Sequence, residues 1–153
     1  MNTMTQLPEK SIDWLQDLIQ LNIDSRDGFK EAADGLKGNR LESLFRGYAN
    51  ERGAQASQLQ SLVASNAETP ERSGSVAAAA HRTWMDLRSS LGGGDHAILS
   101  EAERGEDHIK EKYEEALNDL GSCSCTTILR SQYSAIKAAH DKVRDLRDSC
   151  QNC

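Results

Sequence analysis

Apolar residues along this chain fall on four long stripes whose steps alternate three and four, the spacing of one face of an α-helix. The first stripe reads Ile12, Leu15, Ile19, Asn22, Arg26, Phe29, Ala33 and Leu36. It predicts a helix from about Ser11 to Leu36, with Ser11 as its cap and Gly35 and Gly38 as its exit. The second stripe, Leu41, Phe45, Tyr48, Arg52, Gln55, Leu59 and Leu62, predicts a helix opened by an Asn39/Glu42 box and closed near Asn66. The third, Ile98, Ala102, Glu106, Ile109, Tyr113, Ala116 and Leu120, starts behind Asp95 and stops at Gly121. The fourth runs from about Ser124 to Cys150 through Leu129, Gln132, Ile136, Ala139, His140, Val143, Leu146 and Arg147.

Between the second and third helices the pattern changes. Thr69-Pro70-Glu71 reads as a helix start, and Val76, Ala80, Trp84, Leu87 and Leu91 as a short helix ended by Gly92-Gly93-Gly94. Each long helix spans roughly 36 to 42 Å at 1.5 Å per residue. The first and second helices are joined tightly, as are the third and fourth, which makes each pair antiparallel. The long middle connection lets the third helix run parallel to the second. The expected fold is all-α, a ferritin-like four-helix bundle with a long helical crossover between helices two and three. It forms a single domain over 1–153 with its core at about 10–149.

Composition narrows the function classes. A chain of 153 residues that is 37% hydrophobic, 27% charged and only 5% aromatic can build one helical core. A net charge of -6 argues against a nucleic-acid partner, which needs a basic face. No run approaches the roughly 20 apolar residues of a membrane span, and the N-terminus lacks a basic start and an apolar run. The cytoplasm is therefore the expected location.

The four cysteines form two close pairs, Cys123/Cys125 and Cys150/Cys153, a spacing that invites tetrahedral zinc. The pairs lie at opposite ends of one helix, about 38 Å apart, so one ion within a monomer cannot bind both. Free thiols at chain ends are the expectation, and a local Cys150–Cys153 disulfide or a crosslink between chains is the lesser reading.

The informative residues are polar ones on apolar stripes: Asn22, Arg26, Arg52, Gln55, Glu106, Gln132 and His140. All sit near mid-helix and are placed to meet in one layer. Buried charge costs several kcal/mol unless it is paired. One reading is a register-fixing network in which Arg52 or Arg26 forks onto Glu106. The other is a metal centre. Ferritin-like carboxylate sites take a Glu from each of two helices and a Glu-x-x-His from each of the others. Here the donors are Glu51, Glu103, Glu106 and His140, with no Glu-x-x-His on helix two or four, and two arginines in the layer oppose a dication. No cofactor is expected on the first reading, and iron or manganese on the second.

His81, Arg82 and Trp84 mark the crossover, read as a packing tryptophan beside a surface histidine, or as a docking point for a partner. Gly92-Gly93-Gly94-Asp95 lacks the Lys-Ser/Thr and the preceding strand of a phosphate loop.

Several segments together carry a resemblance. They are Asp27-Gly28-Phe29 with Ala32-Ala33, Leu44-Phe45, Arg52, Pro70, Gly74-Ser75, His81-Arg82-x-Trp84, Glu101-x-Glu103-Arg104-Gly105-Glu106-Asp107, Gln132-Tyr133, His140 and Leu146-Arg147-Asp148. The chain resembles a bacterial family of uncharacterised four-helix-bundle proteins in the ferritin-like superfamily. Asp34 stands where relatives more often carry Glu, and the cysteine pairs are particular to this chain. The resemblance implies a ferritin-like fold in a cytoplasmic bacterial protein and carries no activity with it. The expected function is a structural, stress-related or adaptor bundle, able to form a homodimer through helix faces. The alternative is a metal-binding oxidase or peroxide-handling protein.

Overall fold

A computed structural model describes residues 7–36, 38, 40–74 and 94–150. Within them the chain is an all-α four-helix bundle without strands: α1 (Glu9–Gly35), α2 (Glu42–Ser65), α3 (Gly94–Leu120) and α4 (Thr126–Ser149). The crossover helix expected over 76–91, with His81, Arg82 and Trp84, lies outside the described residues, as do Asn39 and Cys153. Among the described residues no helix is long and apolar enough to cross a membrane.

Helix ends differ from the stripes by a few residues. Pro8, with φ -57° and ψ 153°, holds the N-cap position of α1, and Ser11 is buried one turn inside rather than capping. Proline's fixed φ suits an entry where no helical amide bond is needed. The second helix starts at Glu42, whose carboxylate accepts from the Gly38 amide at 3.1 Å. Thus the acidic half of the expected box works, though upon an earlier residue. Asp95 lies inside the first turn of α3, not ahead of it. Gly121, at φ 56°, ends α3 in the left-handed conformation, its amide donating to Leu117 O at 3.2 Å.

Helix α1 packs on α2 and on α3, and α3 packs on α4. Lys10 and Trp14 meet Asp119, Asn22 meets Tyr113, and Ser25 meets Glu106, so α1 and α3 are antiparallel. Tyr113 meets Gln132 and Glu103 meets Arg147, so α3 and α4 are antiparallel as well. Gln55 and Gln132 join α2 to α4. Since α1 opposes both α2 and α3, those two run parallel. The end of α2 lies by the start of α1, where Asn66 Oδ1 accepts from the Leu7 amide at 2.8 Å. The start of α3 lies at the other end, where Arg40 pairs with Asp95.

Residues 66–74 begin the link by climbing along α1. Gln16 donates to Thr69 O and accepts from the Glu71 amide, each at 2.8 Å. Further up, Gly74 presses on the buried Asp24, where a Cβ on Gly74 would stand 1.9 Å from Asp24 Oδ1. Only glycine fits that approach.

Among the described residues the hydrophobic interior forms two clusters. The first gathers Leu15, Leu18, Ile19, Ile23, Leu59, Val63, Ile109 and Leu129, with Cys125 at its end. The second holds Phe29, Ala33, Phe45, Leu99, Ala102 and Val143, with Cys150 at its end. Phe29 sits 5.3 Å from both Phe45 and Tyr48, edge-on to the former. Between Ala49 and Ala56 on α2, and between Ala102 and Ile109 on α3, the stripes carry Arg52 and Glu106. Charged side chains therefore part the two apolar clusters.

Candidate polar core site

Arg52 is fully buried and Glu106 is 1% exposed, both because they occupy stripe positions of α2 and α3 that turn inward with their apolar neighbours. One guanidinium nitrogen of Arg52 donates to Glu106 Oε2 and the other to Glu51 Oε1, the latter at 2.6 Å. Ser25 donates to the second oxygen of Glu106 at 3.4 Å. Instead of forking onto one carboxylate, Arg52 divides its donors between a buried and a half-exposed one. Burial pushes the Glu106 carboxyl above its ordinary value, and the charge and hydrogen bond of Arg52 pull against that rise.

Seven residues along α3, about 10 Å further down the axis, a second polar group forms around Tyr113. Asn22 Nδ2 donates to the Tyr113 hydroxyl, which donates to Gln132 Oε1, both at 2.7 Å. Gln132 Nε2 donates to Gln58 Oε1 at 2.9 Å and to Gln55 O at 3.3 Å, and Gln55 Nε2 donates to Gln132 O at 3.4 Å. This chain links all four helices. Burial raises the Tyr113 phenol well above its ordinary value, so it stays a neutral hydroxyl able to donate and accept at once.

His140 belongs to a third group on the α3/α4 edge. Its Nε2 lies 2.6 Å from Asp107 and 3.7 Å from Glu103, and its Nδ1 lies 3.0 Å from Asp141. Arg147 occupies the other oxygen of Glu103. Lys137 and His140 hold the Asp141 carboxyl down at about 2.

The expected single layer is thus three separate groups at different depths and edges. Arg26 joins none of them: its side chain is 43% exposed and pairs with Asp27 at 2.9 Å, its stem lying against Gly53. A long stem at the α1/α2 seam lets its charged head reach water, which corrects its expected burial. The stripe pattern carried Tyr113 without its polar role and passed over Ser25, Gln58 and Asp107. Tyr113 counted as apolar, and Gln58 and Asp107 lie off the stripes. The heptad spacing of Glu106 and Tyr113 was the available signal.

A metal would need the Glu51, Glu103, Glu106 and His140 donors to converge. They divide instead, Glu51 and Glu106 around the Arg52 guanidinium and Glu103 between Arg147 and His140. Among the described residues no three His, Cys, Asp or Glu side chains gather as a metal cage. A guanidinium lodged between two carboxylates fills the place and supplies the charge that a dication would bring, so this donor set does not fit a di-metal centre.

Cys123 and Cys125 are free, whereas Cys150, just past the end of α4, is disulfide-bonded, so four free thiols do not describe this chain.

No curated protein matches the chain. A family model described as a domain of unknown function, DUF2383, matches residues 10–119, which takes in α1, α2 and α3 and more than two thirds of the sequence. With Arg52, Glu106 and Tyr113 all inside that span, the chain belongs to the DUF2383 family.

Proposed function

We propose that the chain is a non-enzymatic helical bundle, a small structural, stress-related or adaptor protein whose polar core groups align its helices. The observation that carries this reading is the Arg52 guanidinium, wholly buried between Glu51 and Glu106. A buried pair of this kind adds little net stability, while an alignment that separates its partners leaves a bare charge in an apolar interior. The orphaned polar atoms point the same way. Asn22 Oδ1, Arg52 Nε and Gln55 Oε1 are buried without a partner among the described residues, a cost that a purely stabilising core would not carry.

The antiparallel neighbours and the parallel α2 and α3 support a ferritin-like arrangement, and the location consistent with this reading is the cytoplasm. Association through an outer helix face, giving a homodimer, is the mode of partnership that fits it.

The competing reading is a ferritin-like iron or manganese protein with oxidase or peroxide-handling activity. It draws on Glu103 and His140, which do approach each other. Elemental analysis of the purified chain, side by side with Glu106→Gln, separates the two. The bundle reading expects no stoichiometric iron or manganese in either protein. Stoichiometric metal in the wild type that is lost in Glu106→Gln overturns it.

A further inference from the structure

The turn between α3 and α4 carries two free thiols in contact, and neither belongs to the polar core. Cys125 Sγ donates to Cys123 Sγ at 3.1 Å, inside the normal separation of two unbonded sulfurs. The turn holds them there. Gly121 reverses the chain, and the Cys123 carbonyl accepts from both the Thr126 amide at 3.1 Å and the Thr126 hydroxyl at 2.7 Å. The two sulfurs differ in access. Cys125 is buried at the end of the first apolar cluster, while Cys123 is partly exposed. Cys123 also lines a surface depression with Leu7, Lys10, Ser11, Asp119 and Leu120, whose ammonium and carboxylate pair with each other. Ser11, buried on α1, places its hydroxyl 3.3 Å from Cys123 Sγ. This accounts for an inward serine that caps nothing.

We propose that Cys123 and Cys125 form a dithiol site that exchanges with low-molecular-weight disulfides. The Cys123 thiolate attacks one sulfur of the disulfide, forming a mixed disulfide and releasing one small thiolate. Cys125 gives up its proton to solvent and attacks Cys123 Sγ, closing the Cys123–Cys125 bond and releasing the second small thiolate. Both released thiolates take up the protons lost by the two cysteines. The protein loses two electrons and two protons, and the small disulfide gains them.

The division of labour follows from the surroundings. At Cys123 burial acts upward, but the Ser11 and Cys125 hydrogen bonds outweigh it and bring the thiol below its ordinary value. At Cys125 burial and the neighbouring sulfur push the thiol up to about 12. The accessible sulfur is thus the attacking one, and the buried sulfur resolves.

The test incubates the full chain with oxidised glutathione and maps the products by peptide mass, so that Cys150 is scored apart. The wild type is expected to lose both thiol hydrogens at Cys123 and Cys125 with a bond between them. Cys125→Ala is expected to stop at glutathione on Cys123, and Cys123→Ser to leave Cys125 unmodified. In a Ser11→Ala/Cys125→Ala background, Cys123 modification at neutral pH is expected to slow by about threefold, because a higher thiol pKa leaves less thiolate that is individually more nucleophilic. Cys123→Ser alters only a partly exposed atom, so its folding is checked by helical circular dichroism without difficulty. A wild type that stays a dithiol or stops at the mixed disulfide overturns the proposal. So does a Cys125 that reacts as fast in Cys123→Ser as Cys123 does in Cys125→Ala.

Discussion

Glu106 on α3 is held by Arg52 on α2 at the level where the two apolar clusters of the bundle part. Neither charge has water to fall back on, so each depends on the other. Arg52→Ala is expected to cost about 3 to 5 kcal/mol, because it strands a buried carboxylate. The double change Arg52→Met with Glu106→Leu is expected to recover most of that loss, since apolar groups of similar volume replace a pair with little net worth. Urea unfolding of the three proteins measures this. A single substitution costing under about 1 kcal/mol, as for a surface pair, would contradict the burial argument.

Tyr113 is the hub of the second polar group, and removing its hydroxyl takes the donor from Gln132 Oε1 and one acceptor from Asn22 Nδ2, which keeps its bond to Leu18 O. Tyr113→Phe is expected to destabilise by about 1 to 3 kcal/mol, the cost of leaving a buried donor or acceptor unpaired. Full stability of this variant would mean that the two amides find other partners.

All three tyrosines are raised above the ordinary phenol value. Burial lifts Tyr48 to about 12 and lifts Tyr113, while the Glu114 hydrogen bond, at 2.5 Å, lifts Tyr133. A raised folded value contributes stability that is intact below the unfolded value of about 10 and lost as pH climbs through the folded one. Phenolate absorbance should therefore lag behind that of the unfolded chain and arrive with loss of helix. Ordinary phenolate titration in a chain still helical would refute it.

Asp119 shifts the other way. The Trp14 indole donates to it at 2.8 Å and Lys10 pairs with it, and both hold its carboxyl below the ordinary value. A depressed folded value gives stability that is present above the unfolded value and lost as pH falls through the folded one. Trp14 emission in Trp84→Phe is expected to change on acidification at a pH below the ordinary aspartate value of 3.8, and Asp119→Asn to abolish that step. An unchanged acid transition in Asp119→Asn would remove Asp119 from the account.

Gly74 has no room for a side chain against Asp24. Gly74→Ala is expected to lift residues 66–74 from α1, at about 1 to 3 kcal/mol for forced overpacking. Limited proteolysis near Gly74 reads the lifting directly. Equal protease resistance in Gly74→Ala would show that the strap tolerates displacement.

The four helices were legible from periodicity because each apolar stripe faces one interior. Polar residues upon those stripes, Asn22, Arg52, Gln55, Glu106, Gln132 and His140, were legible by the same logic, and all six are buried. What periodicity lacks is depth and reach. It cannot see that antiparallel packing sets Tyr113, not Glu106, opposite Gln132, nor that His140 meets Asp107 on the bundle edge. Arg26 shows the same limit, since a stripe position near a helix seam still lets a long side chain reach solvent. Helix ends were set by contacts beyond the local sequence, as at Ser11, whose hydroxyl serves a sulfur on another turn.

The sulfur chemistry of α4 is unequal at its two poles. The helix has 24 residues and so spans about 36 Å, with two free thiols at its start and a cysteine already oxidised at its end. A thiol-seeking reagent therefore marks Cys123 and Cys125 at one pole of the rod and reaches Cys150 at the other only after a reductant is added. Chains crosslinked through Cys123 would meet head to head at the α3–α4 turn, whereas a crosslink through Cys150 would first require that its present bond be released.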